Sequence, residues 1–298
     1  MPPPEAFFYN KVIKILSGLP IILYNLAILP PMRIIITLAI ILVALLSQLP
    51  DNRLHVYFLD IGQGDSIFIK TPNNHHILID GGPDSTVVRE ISELMPFLNK
   101  NIDLIILTHP DADHLNGLID VIERYSVSNI YLTGVANAKP EYARLFDLAI
   151  TKNINLILAD SQTDFKFGPL ILDTLYPFSN ISGNPEIAAN DSSIVTKIIY
   201  RQHKILLTGD LEENGEKQLL NSHIDLTASI YKAGHHGSKT SSSLPFVKEI
   251  SPEIAIIQAG KDNRYGHPHS ITIQNLYKTH TKHIYNTATD GRIKIIFD

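Results

Sequence analysis

Four titratable side chains, His109, Asp111, Asp113 and His114, fall within six positions of IILTHPDADHLNGL, residues 105–118, directly after an apolar run. Only 18% of the chain is charged, so this density calls for a reason. Imidazole nitrogens and carboxylates are the ligands a divalent cation takes when thiolates are lacking. The chain contains no cysteine, which excludes disulfides, Cys-ligated zinc and thiol nucleophiles together. Without a cation, two adjacent carboxylates would repel and one would take up a proton. The competing reading is a helix N-cap, with Asp111 or Asp113 capping a helix from about Leu115. A cap needs one oxygen and accounts for neither histidine.

Further clusters follow other apolar runs. LDIGQGDS (59–66) brackets Gln63 with glycines and ends near Asp65; ILIDGG (77–82) carries Asp80 before a double glycine that permits close backbone approach. LLTGDL (206–211) ends in Asp210, and YKAGHHGSKTSSS (231–243) holds the pair His235 and His236. An aspartate at a strand end often only forms a turn. Several of them, together with histidine pairs, point to a shared site at one sheet edge.

The elements that must position these residues are short and β-rich. LHVYFLDI, SIFIKT, HHILID, DLIILT, LILDTLY, SIVTKIIY, KILLTG, SIYKA and EIAIIQ read as strands. Helical patterns are predicted from Val87 to about Asn99 and near 115–125, 140–151, 212–221 and 270–278. Continuous apolar runs imply strands covered on both faces, and the meander-like opening favours an α/β four-layer αββα sandwich over a doubly wound sheet. With 44% apolar residues in 298, a sizeable core is available.

The first fifty residues differ in kind. Residues 34–49 are uncharged after Arg33, and residues 15–31 form a second uncharged stretch broken by Pro20 and Pro30. Both fall short of the ~20 residues of a usual spanning helix. The expectation is a division into a hydrophobic segment over 1–50, anchoring the chain to the membrane through residues 15–49, and a domain over 51–298. Lys11, Lys14 and Arg33 favour retention of the N-terminal flank on the cytoplasmic side, which would put the domain outside the cytoplasmic membrane. Residues 51–298 hold all but three of the 25 Lys and Arg and all but one of the 30 Asp and Glu, a net charge of −7. That excludes a protein gripping nucleic acid by a broad basic surface.

The motif THPDADH resembles a variant of the metallo-β-lactamase signature His-x-His-x-Asp-His. The series THPDADH, NDSS, TGD, GHHGS, GHPH, with LDIGQGDSIFI and LIDGG, is similar to the hydrolase domain of the ComEC DNA-uptake family over about residues 54–298. The resemblance implies an αββα sandwich with two divalent ions, Zn or Mn, at one edge. Carried over, His109 and Asp111 would hold one ion, Asp113 and His114 the other, and Asp210 would bridge them. His236 would be the last ligand and His235 would face the substrate, an order that could be inverted, with His267 also placed to contribute. Asp111 stands where histidine is usual, and Asn190 or Asp191 of AANDSSIV where another ligand histidine is expected. Asp65 and Asp80 are further candidates for the metal or its surroundings. Harder oxygen ligands favour manganese over zinc.

The mechanism implied is hydrolysis on a metal pair without a protein nucleophile. Asp113, His235 and His267 are its candidate catalytic residues, His235 or His267 as proton donor, while Gly237, Ser238 and Lys239 are candidates for holding a phosphate. The functional expectation is a nuclease or phosphodiesterase acting on loosely bound single-stranded DNA during uptake. Lys232, Lys239, Lys261 and Arg264 are candidate groove cations. Residues 1–298 lack the many-helix channel of a complete ComEC, so a separate channel protein would be the partner. Two other readings stay open: hydrolysis of a small phosphodiester, lactone or thioester, or a non-catalytic remnant of a split protein.

Overall fold

The computed structural model describes residues 30–46, 49–96 and 99–298, which fall into two compact units divided between Leu49 and Pro50. In the first unit the described element is helix α1 (Pro30–Leu46), 17 residues long. At 1.5 Å per residue it spans about 25 Å, under the ~30 Å of a hydrocarbon core. Among the described residues no helix is long and apolar enough to cross a membrane. This corrects the expected spanning segment over 34–49: the helix starts four residues earlier and is described only to Leu46. Apolar side chains along it are exposed, among them Ile34, Leu38 and Val43. Residues 1–29, and with them most of the 15–31 stretch, lie outside the described residues.

The second unit is a sandwich of two seven-stranded sheets. Strands β1 (Leu54–Phe58), β2 (Ile67–Lys70) and β3 (His76–Ile79) run as an antiparallel meander. Helices α2 (Thr86–Leu94), α3 (Ala112–Arg124) and α4 (Pro140–Thr151) then lead into the parallel strands β4 (Asn101–Leu107), β5 (Ser126–Leu132) and β6 (Asn155–Leu158). The second sheet repeats the plan. Strands β7 (Phe165–Phe167), β8 (Leu170–Tyr176), β9 (Val195–Tyr200) and β10 (His203–Leu207) are antiparallel neighbours. They are followed by parallel β11 (Ile230–Lys232), β12 (Ile254–Ile257) and β13 (His283–Asn286). Helices α5 (Glu213–Asn221), α6 (Leu244–Ile250) and α7 (Ser270–Tyr277) make these crossovers. After the short α8 (Thr287–Asp290), β14 (Ile293–Phe297) returns to pair with β1 and closes the first sheet.

Side-chain alternation separates the layers. In β1, Leu54, Val56 and Phe58 enter the core between the sheets while Tyr57 faces the helices. In β4, Leu104 and Ile106 point inward, and Ile102, Ile105 and Leu107 meet α3 and α4. Leu115, Leu118, Val121 and Ile122 form the buried stripe of α3, and His114 lies on that same stripe. A third core lies under α5, α6 and α7. Four layers follow, helix, sheet, sheet, helix, and the loops at the carboxyl ends of β3, β4, β10, β11 and β12 meet at one edge, where ligands bind in open α/β sheets.

Candidate metal centre

Two glycine loops clamp the first turn of α3. A Cβ on Gly64 would lie 2.2 Å from the Asp113 carbonyl oxygen, and one on Gly81 would lie 2.4 Å from the Leu118 nitrogen. This closeness lets Asp65 N–H donate to Asp113 O (3.2 Å) and Gly81 N–H donate to His114 O (2.7 Å). The motifs around Asp65 and Asp80 therefore serve to seat THPDADH. Asp111 occupies the N-cap position of α3 but its side chain makes no capping bond; one oxygen pairs with Lys139 instead. The capping reading of the cluster fails on that observation.

The cluster centres on Asp210. Its Oδ2 lies 3.9 Å from His109 Nε2, 3.3 Å from His114 Nε2, 3.2 Å from His236 Nε2 and 3.7 Å from His235 Nε2. His236 Nε2 is also 3.3 Å from Asp113 Oδ2, and His109 Nε2 is 3.7 Å from Asp111 Oδ2. His236 is buried at 1% exposure, whereas the His235 side chain keeps 22%. The structure thus places His236 inside the cluster and His235 at its mouth. Both have left-handed backbones, φ 54° and 48°, a strained choice for non-glycine residues that turns consecutive rings to one side.

Each ring is fixed from behind. His114 Nδ1 donates to Asp80 Oδ2 (2.8 Å), and Asp80 also accepts from Thr108 N–H (2.8 Å) and the Thr108 hydroxyl (2.6 Å). His236 Nδ1 faces Gln258 O (3.0 Å) and Asp65 Oδ1 (3.1 Å), and Asp65 is paired with the fully buried Lys232. His109 Nδ1 lies 3.1 Å from the Thr108 hydroxyl and 3.4 Å from the Ser193 hydroxyl, and Ser193 Oγ accepts from Asp210 N–H at 3.1 Å. Such partners set tautomer and orientation of ligating imidazoles.

These contacts leave a consistent set of atoms pointing inward. His109 Nε2, His114 Nε2, His236 Nε2 and Asp210 Oδ1 are buried and make no hydrogen bond, an arrangement that is costly unless a ligand completes it. Asp65, His114, Asp210 and His236 each offer an atom within 4.8 Å of the others. Asp65, however, is committed to Lys232 and to His236 Nδ1, so Asp113 is the better fourth partner for one ion. His114, Asp210 and His236, with Asp113 or Asp65 as fourth partner, can hold one divalent cation, and His109 with Asp111 lies beside Asp210.

The protonation of these groups follows from the same contacts. Burial alone would discharge His114 and His236, yet Asp210 with Asp80 holds the first ring, and Asp210 with Asp65 the second, well above the ordinary histidine range. Asp210 itself is held well below the carboxylate range: burial opposes this, and the neighbouring His236 and His114 overcome it. Burial and the adjacent His114 push His109 down to about 3, so its ring is neutral with a free lone pair. A divalent cation would exchange for the protons on His114 and His236, so its affinity rises with pH. Asp80 acts on the cluster through His114 and, by way of the Thr108 hydroxyl, beside His109. Asp80→Asn should weaken metal binding about 10–100-fold, read by competition with a chromophoric chelator, and an unchanged affinity would contradict that role.

Several expected residues sit elsewhere. Asn190 and Asp191 lie in a 3-10 turn (Asn190–Ser192), where Asn190 donates to Glu212 Oε1 (3.2 Å) and Asp191 faces Asn214 (3.5 Å). Asn190 is thereby tied to the mouth through Glu212, whose Oε1 also meets His235 Nδ1, while the Ser193 hydroxyl meets His109 Nδ1 and Asp210 N–H. Lys232 is not a groove cation, because β11 points it between the sheets. Gly237 and Ser238 are mostly engaged internally: Ser238 N–H donates to His235 O (2.7 Å), its hydroxyl meets Thr240 Oγ1 (3.0 Å), and Gly237 O accepts from His269 N–H (2.9 Å). Lys239 remains exposed. His267 borders the mouth, its ring centroid 5.6 Å from that of His235 and 6.1 Å from that of His236, and burial beside these rings pushes it down to about 4. Glu212, 3.3 Å from His235 Nδ1, Lys139, Ser193 and Gln258 were not anticipated.

The sequence profile of the Metallo-beta-lactamase superfamily matches residues 59–261, from the first glycine loop to the loop after β12. The chain belongs to the metallo-β-lactamase superfamily. Its members are in general metal-dependent enzymes, and the donor set above suits that chemistry. The chain is 31% identical over 257 residues to ComE operon protein 3 of Bacillus subtilis, covering 80% of this chain and 32% of that protein. It is 29% identical to Competence protein ComA of Neisseria gonorrhoeae, covering 83% and 33%. The chain therefore spans about a third of the length of these relatives. Among solved structures, the metallo-β-lactamase fold protein YhfI from Bacillus subtilis superposes with TM-score 0.55 at 11% identity, covering 82% of this chain and 99% of that one. CmlA, a diiron β-hydroxylase from Streptomyces venezuelae, superposes with TM-score 0.51 at 13% identity, covering 82% and 54%. These two likenesses concern the fold.

Proposed function

We propose that this metallo-β-lactamase chain is a hydrolase using two divalent ions, Zn or Mn, and that it cleaves phosphodiester bonds of DNA during competence-related uptake. The observation carrying the hydrolase reading is the convergence of three unpartnered, buried Nε2 atoms on the Asp210 carboxylate. The likeness to two competence proteins supports the DNA reading. Two divalent ions, when bound, supply an acidified water and polarise the phosphoryl oxygen.

The chain's own residues do the rest. Asp113, His114 and His236 fix one half of the centre and His109 with Asp111 the other, with Asp210 between them. His235 stands at the mouth with Nδ1 held by Glu212 and by Thr240 (3.2 Å), so its Nε2 is aimed at the reacting group and can deliver a proton to the departing oxygen. His267, pushed down to about 4 by burial and the neighbouring rings, is neutral at pH 7 and holds no acidic proton to deliver. Lys239, exposed beside them, supplies a cation for a neighbouring phosphate.

The competing reading keeps the metal pair and replaces DNA by a small phosphodiester, lactone or thioester. The full chain loaded with Mn or Zn is expected to cleave single-stranded DNA more efficiently than an aryl phosphodiester. Failure on DNA at every salt concentration, with ready turnover of a lactone or thioester, would overturn the nuclease assignment. Absence of metal and of all turnover would favour a non-catalytic remnant.

For location, the reading places the chain at the cytoplasmic membrane with the hydrolase unit on the extracytoplasmic side, beside a separate ComEC-like channel protein. The exposed apolar surface of α1 supports attachment. External protease should digest the hydrolase unit in spheroplasts; digestion only after lysis would reverse the orientation.

A further inference from the structure

A cavity of about 430 Å³ opens beside the metal centre, lined by Gln63, Pro83, Asp113, Asn263, Arg264 and Tyr265 among others. One wall is thus the candidate ligand Asp113, and the opposite wall is a loop carrying an aromatic ring and a cation. Tyr265 is 49% exposed. Its ring stacks with that of His267, centroids 5.6 Å apart at 22°. The Arg264 guanidinium lies over the Tyr265 ring at 4.9 Å and donates to its hydroxyl (2.7 Å).

The loop bearing these side chains is built, not loose. Asn263 Nδ2 donates to Gly260 O (2.8 Å) and His267 O (2.7 Å), while its Oδ1 accepts from Tyr265 N–H (3.2 Å) and His267 N–H (2.9 Å). Gln63 Oε1 accepts from Gly260 N–H (3.0 Å), tying the loop to the glycine turn that seats α3. The ring is therefore held in register with the metal centre, with His267 standing between Tyr265 and the His235–His236 pair.

Resting on the nuclease reading, we propose that Tyr265 and Arg264 form a nucleotide subsite for single-stranded DNA, the ring stacking the base next to the scissile phosphate and the guanidinium holding the adjoining phosphate. An exposed cation–π contact is weaker than stacking of a base on an aromatic ring. An incoming base can therefore displace Arg264 from the ring face and free its donors for phosphate. Stacking tolerates any base, and it requires the base to be unpaired. The preference for single strands thus comes from this wall, and it compensates for the acidic domain's lack of a basic surface.

The test uses the full chain and two probes, a fluorescein-labelled short oligothymidylate with a nuclease-resistant phosphorothioate backbone and the same backbone with abasic residues. Wild type should bind the first more tightly. Tyr265→Ala should weaken binding of oligothymidylate about 10-fold and leave the abasic probe and the metal content unchanged, while Tyr265→Trp should restore binding. Arg264→Ala should weaken both probes equally and flatten the salt dependence. Equal loss on both probes for Tyr265→Ala, or no loss on either, would overturn the subsite, as would failure of Arg264→Ala to affect both. If the binding differences hold and no DNA is cleaved in any metal, the subsite stands and the nuclease assignment falls.

Discussion

An Asp210→Ala chain is expected to lose metal from both halves of the centre and turnover with it. Asp210 Oδ2 is within 4 Å of the Nε2 atoms of His109, His114 and His236, so among the described residues it is the side chain that the two proposed ions would share. A catalytic ion contributes several kcal/mol to transition-state stabilisation, and each ~1.4 kcal/mol is tenfold in rate. The fall in kcat/KM should thus be on the order of 10³-fold or more. Folding should survive, because His114 and His236, deprived of this counter-charge, can shed their protons and remain in place as neutral rings. Metal analysis and circular dichroism on the same sample would check both halves; a variant that keeps full metal and full activity would show that Asp210 does not bridge.

Lys232→Met should destabilise the hydrolase unit strongly. Lys232 and Asp65 form a pair with both side chains buried, and removing one partner strands the other. Breaking such a pair costs about 3–5 kcal/mol, which for a unit of this size lowers Tm by on the order of 10 °C. Pairing Lys232→Met with Asp65→Asn should recover much of that loss, because no lone charge remains. A single variant as stable as wild type would contradict the pairing. The double variant should still bind metal more weakly, since Asp65 also orients His236 through Nδ1.

Lys232 shows how far the sequence could be read. Its neighbour Tyr231 packs under the helices, so strand alternation sends Lys232 between the sheets; IYK in a short central strand carried that signal. Its counter-charge lies 167 positions away, and no local pattern connects them. The ligand candidates were legible because each sits where an apolar run ends, and the carboxyl edges of parallel strands converge. Side-chain direction at the turns was not, since it depends on backbone conformations such as φ 57° at Asp80 and the left-handed His235–His236 pair. The bonds that tie Asn190 to Glu212 and Asp191 to Asn214 in the 3-10 turn escaped for the same reason. Helices α2, α3, α4, α5 and α7 were predicted to within a few residues apart from the end of α2, because their apolar spacing is regular. Strand β5, whose SVSNIYL mixes polar and apolar positions, the strands β6, β7, β13 and β14 and the short α6 and α8 were not predicted.

The central claim is a two-ion centre made by these side chains, and the metal content of the intact purified chain tests it most directly. About two divalent ions per chain are expected, with anomalous density on either side of Asp210, one ion against Asp113, His114 and His236 and the other against His109 and Asp111. A fully folded chain that takes up no ion from Mn or Zn, or only one ion away from Asp210, would contradict it.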